Sequence, residues 1–114
     1  MSKRSDLDLL EDILICMDKI HKYIDGITYD GFENDSKTQD AIIRNIEVIG
    51  EAAKHLSDDI RQKYHNVPWK EIAGTRDRLI HGYFGVNLDI IWEIATIDLP
   101  KLKSDFEEIR NKIG

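Results

Sequence analysis

At 114 residues the chain has room for one domain, and 41% hydrophobic with 33% charged residues is an ordinary soluble composition. Its formal charge of −6 argues against non-specific nucleic-acid binding, and no apolar run reaches the roughly 18 residues a membrane span needs. The start, M-S-K-R-S-D-L-D, lacks an apolar signal core, so a cytoplasmic location is expected. The lone Cys16 excludes an intrachain disulfide and fits a small buried hydrophobe.

In chain order, Ser5 is placed to cap a first helix. Leu7, Leu10, Leu14, Met17, His21 and Ile24 form its apolar stripe, and Gly26 ends it. Tyr29 to Asp35 reads as a connection or a short irregular helix. Ser36-Lys37-Thr38-Gln39 has the form of a capping box that opens a second long helix, striped by Ile42, Ile46, Ile49, Ala53 and Leu56. Gly50 within it costs helix propensity and implies a close helix contact. Ser57-Asp58-Asp59 caps a short helix to about Tyr64. Pro68 suits the first turn of a helix expected from Trp69 to about Tyr83, before Gly82 and Gly85 break it. Asn87 caps the last helix, whose stripe is Leu88, Ile91, Ala95, Leu99, Leu102, Phe106, Ile109 and Ile113, with a kink at Pro100. No strand-like alternation occurs. The expected architecture is an all-α, up-and-down bundle of four principal helices plus short ones, forming a single domain over 1–114.

Charge is unevenly distributed: residues 1 to 59 sum to −7, residues 60 to 84 to +3 and residues 85 to 114 to −2. The basic stretch holds Arg76-Asp77-Arg78-Leu79-Ile80-His81-Gly82-Tyr83. Phosphate-binding glycine loops, G-x-S-x-G and H-E-x-x-H are absent, and the four histidines lack metal-site spacing, so no metal or cofactor is expected. On a helix, Asp77 meets His81 at i, i+4, orienting the imidazole and favouring its protonated form, as a general acid requires. Arg76 can reach the same space with a planar fork suited to phosphate. Spacing alone favours a structural Asp77–His81 pair, with Arg76 bridging to the helix of Glu47 and Glu51.

The string R-x-x-x-x-H-x-Y formed by Arg76, His81 and Tyr83 resembles the signature of HepT toxins of the HEPN superfamily. The Thr38 to Ser57 helix, the V-P-W-K-E-I-A-G-T-R-D approach and D-L-P-K-L-K extend the resemblance over nearly the whole chain. Relatives often carry asparagine where this chain has Asp77. The resemblance implies an α-helical homodimer in which the motifs of two subunits line one cleft. It also implies metal-independent RNA cleavage, with Arg76 on the scissile phosphate, His81 as general acid or base and Asp77 tuning it. The implied partner is an MNT-type minimal nucleotidyltransferase antitoxin that adds AMP to Tyr83. A non-catalytic HEPN module binding nucleotide or such a partner is the alternative, and Tyr83 could instead cap the helix end against Trp69 or Phe84.

Overall fold

The computed structural model describes residues 4–75, 78 and 87–114, and every regular element among them is helical. The elements are α1 (Asp6–Ile24), α2 (Tyr29–Glu33), α3 (Ser36–His55), α4 (Asp58–Lys63), α5 (Trp69–Ala73), α6 (Leu88–Glu93), a π-helical turn (Ile94–Asp98) and α7 (Leu99–Ile113). The long helices α1, α3 and α7, with the path through α6 and the π turn, make the bundle: α1 lies along α3 and α7, and α3 also carries α5. None of these helices is long and apolar enough to cross a membrane.

Local chemistry sets the helix starts. Ser5 caps α1 through a reciprocal box in which its hydroxyl accepts from the Asp8 amide at 3.1 Å and its own amide donates to the Asp8 carboxylate at 3.2 Å. Those bonds hold the Asp8 carboxyl below its ordinary range. Gly26 follows with φ +74, a left-handed turn that a side chain would strain. The cap of α3 is Asp35, whose carboxylate accepts from the Thr38 amide at 3.1 Å. The box expected at Ser36 is therefore displaced by one residue. Gln39 does not close it; its amide donates to the Phe32 and Glu33 carbonyls, capping the end of α2. Ser57 caps α4 as expected and is held by Asp6 through two bonds of 2.9 and 2.7 Å, which join the start of α4 to the start of α1.

The core is one cluster centred on Leu10, Ile13, Ile20, Ile42, Ile46 and Ile91. The α3 stripe is buried throughout as its spacing requires. On α1 the buried face is broader than the expected stripe: Leu9, Ile13, Cys16 and Ile20 join it, whereas His21 at its edge is exposed. Cys16 is buried, and the loss of solvation pushes its thiol up, which suits a packing role.

The Pro100 irregularity falls one turn earlier than the proline itself. Pro100 has no N–H to donate, and its ring crowds the carbonyl one turn back, so the turn before it widens. The Leu99 amide accordingly reaches the Ile94 carbonyl, five residues away, and the helical path continues without a break. At the other end of this path, α2 is docked by aromatics: Phe32 packs against Trp92 at 5.1 Å, and Tyr29 meets Trp92 edge-on at 5.7 Å. The Tyr29 hydroxyl donates to Asp89, which pushes its pKa up to about 12.

Candidate functional site

Arg76, Asp77, His81 and Tyr83 all lie outside the described residues, as do Leu79, Ile80, Gly82, Phe84, Gly85 and Val86. The structure defines what the motif is attached to. On its N-terminal side the helix expected from Trp69 to Tyr83 is interrupted: α5 ends at Ala73, with Gly74 as its C-cap. Thr75 and Arg78 are helical again, and the Arg78 amide donates to the Gly74 carbonyl at 3.3 Å. Glycine is a poor helix interior, and the break there separates the buried α5 turn from the motif.

Thr75, the residue bonded directly to Arg76, is buried, and its hydroxyl donates to the Ile72 carbonyl at 2.7 Å. Opposite it sits Gly50 of α3. A Cβ on Gly50 would stand 3.0 Å from the Thr75 hydroxyl and 3.1 Å from the Ile72 carbonyl, so the close approach foreseen for this glycine is against α5. Trp69 anchors the start of α5, its indole N–H donating to the Tyr64 carbonyl at 3.0 Å. On the C-terminal side, Asn87 caps α6 by accepting from the Ile90 amide at 3.2 Å. The motif thus departs from one fixed, buried point and returns to another capped one.

Gly50→Val tests this packing. Crowding a backbone carbonyl and a buried hydroxyl is expected to destabilise the fold by about 1–3 kcal/mol, measured by urea unfolding. Wild-type stability in that variant would show that α3 and α5 are not in tight contact.

Residues 13–109, which include the whole motif and both its anchors, match the family described as ribonuclease HepT-like. The chain belongs to that family. Among HepT-like relatives, it is 43% identical over 108 residues to "Probable ribonuclease HepT" of Thermococcus cleftensis, covering 95% of this chain and 98% of that one. It is 47% identical over 109 residues to "Putative RNase MJ0127" of Methanocaldococcus jannaschii, covering 96% and 90%. A third relative, "Putative RNase TTE0752" of Caldanaerobacter subterraneus subsp. tengcongensis, is 45% identical over 103 residues, covering 90% and 92%. No solved structure matches the chain.

Beside the motif's N-terminal anchor, α3, α5, the π turn and α7 border a cavity of about 220 Å³ that opens to solvent. Sequence reading gave no sign of it, because its wall is assembled from residues distant in the chain. Thr75 and Arg78 line it, together with Asp98 and Lys101 from the far end of the sequence.

Proposed function

We propose that this HepT-like chain is a metal-independent endoribonuclease and the toxin of a toxin–antitoxin pair, acting in the cytoplasm as a homodimer. The observation that carries this reading is the Arg76-to-Tyr83 string in a chain of the ribonuclease HepT-like family. RNA cleavage by the neighbouring 2′-hydroxyl forms a bond from that oxygen to phosphorus and breaks the bond from phosphorus to the 5′-oxygen. The products are a 2′,3′-cyclic phosphate and a free 5′-hydroxyl. The reaction requires a proton to leave the attacking oxygen, another to reach the departing one, and charge on the phosphorane to be balanced. His81 supplies the proton transfer. Arg76 holds the phosphate by its fork, and Asp77 orients and tunes His81. Pairing two subunits places two such sets at one cleft. Cleavage of total RNA by the purified protein in EDTA, leaving cyclic phosphate ends, is the direct test. If chelation stops the reaction, the metal-independent mechanism fails.

Control is assigned to Tyr83 and an MNT-type nucleotidyltransferase antitoxin. AMP on the phenol would place a phosphate two residues from His81, where bulk and charge compete with RNA for Arg76. Tyr83→Phe removes the acceptor oxygen and keeps the ring. The variant is expected to stay folded and toxic and to escape neutralisation by the nucleotidyltransferase. Intact-mass measurement after co-expression checks this: an AMP adduct that persists in Tyr83→Phe would place the modification elsewhere.

A further inference from the structure

The 220 Å³ cavity beside the motif has an aliphatic wall that includes Ile46, Ile49, Ile72 and Ile94. Around it stand four charged residues: Glu71, Arg78 and Lys101 are exposed, and Asp98 is half-buried. Two are acids and two are bases, yet among the described residues none of them forms a side-chain hydrogen bond or ion pair. The hollow opens to solvent, so it joins an apolar floor to a charged rim of both signs, a combination suited to a ligand with an apolar face and a polar edge.

Size and chemistry narrow the occupant. Pockets for drug-sized ligands run roughly 300–1,000 Å³, so this one suits a single planar ring system. A pure hydrophobe would leave four charges unused, and a bare phosphate would leave the apolar wall uncovered. A nucleobase within an RNA strand answers both demands. Its faces are apolar, its edge is polar, and phosphates flank it.

We propose that this cavity is a base-binding subsite for the RNA strand and takes an amino-bearing base, guanine above the others. The proposal rests on the ribonuclease reading and extends it to substrate choice. Glu71 and Asp98 are acceptors only, so they favour bases with donors on their edge. Guanine offers two adjacent donors to one carboxylate. Uracil presents carbonyl oxygens on either side of its single N–H and would set them against the acids. Arg78 and Lys101 receive the flanking phosphates, which position the strand without reading it. Because Thr75 and Arg78 line the cavity and are bonded directly to Arg76 and Asp77, the bound base belongs to a nucleotide adjoining the cut.

The test uses full-length His81→Ala, expected to cleave slowly enough for titration, with isoleucine methyl groups labelled for NMR. Titration with the trinucleotide UGU is expected to shift the methyls of Ile46, Ile49, Ile72 and Ile94 and to leave that of Ile113, at the far end of α7, in place. UUU is expected to bind about tenfold more weakly, as loss of a good base contact implies. Guanosine 5′-monophosphate, which lacks the second flanking phosphate, is also expected to bind more weakly than UGU. The double variant Glu71→Gln/Asp98→Asn should lose the preference for UGU, whereas Lys101→Ala should weaken UGU and UUU alike. Equal affinity for UGU and UUU, or binding that leaves the four methyls unmoved, overturns the subsite. Cleavage by the wild-type chain is scored alongside. Methyl shifts with guanine preference but no cleavage overturn the ribonuclease reading alone, and cleavage without methyl shifts overturns the subsite alone.

Discussion

His81→Ala is expected to lower the rate of RNA cleavage by about 10²–10⁴-fold, the range that a positioned proton donor or acceptor contributes. The loss should fall on kcat, because imidazole acts when the proton moves and contributes little to holding the strand. Arg76→Ala should cost about 10²–10³-fold through lost charge stabilisation. Arg76→Lys should recover part of it, since lysine keeps the charge without the fork. Cleavage of a labelled oligoribonucleotide by the variants, at matched concentration and verified helicity, decides the matter. His81→Ala retaining activity within a few-fold of wild type would remove His81 from the chemistry. A restored rate on adding free imidazole would support a proton-transfer role over a structural Asp77–His81 pair.

The string on which this prediction rests stands out because its residue types lie close together in sequence. Arg, Asp, His and Tyr within eight positions need no tertiary information to be noticed. The bundle was legible for a related reason: Ile42, Ile46, Ile49, Ala53 and Leu56 repeat at helical spacing, and burial follows the repeat. Gly50 was readable as a contact point because glycine inside a helix needs a reason, and the contact with Ile72 and Thr75 provides it.

What the sequence hid were choices between neighbouring solutions. Asp35 and Ser36 are both good caps, and the chain uses Asp35 while Gln39 turns to the end of α2. A strict three-four stripe on α1 missed Ile13 and Ile20, because a helix covered by both α3 and α7 buries a wider arc than a single seam. Pro100 announced an irregularity but not its form, since a widened turn and a kink both accommodate the missing N–H. The cavity was beyond reach for a different reason. Ile46 and Ile49 come from α3, Ile72 from α5 and Ile94 from the π turn, so no local pattern marks it.

The largest expected effect on stability is at Phe106. Its ring is fully buried on α7 and meets Trp69 of α5 edge-on, with centroids 5.5 Å apart and planes at 75°. Phe106→Ala is expected to cost about 3–5 kcal/mol, because the hollow left behind adds to the lost transfer energy. Small domains hold only about 5–15 kcal/mol in total, so the variant should unfold at much lower urea. Phe106→Leu keeps an apolar side chain and loses the edge-to-face contact, which alone is worth about 0.5–1.5 kcal/mol. This milder variant carries the functional consequence. Trp69 opens the short helix that precedes Thr75 and Arg76 in the chain, and its indole N–H donates to the Tyr64 carbonyl. Loosening Trp69 in a protein that remains folded should therefore lower RNA cleavage further than the stability loss accounts for. Unfolding followed by circular dichroism and tryptophan fluorescence, with cleavage assayed well below the transition, separates the two effects. A cost below about 1 kcal/mol for Phe106→Ala would contradict the packing described. Full cleavage by Phe106→Leu would show that the Phe106–Trp69 contact has no bearing on catalysis.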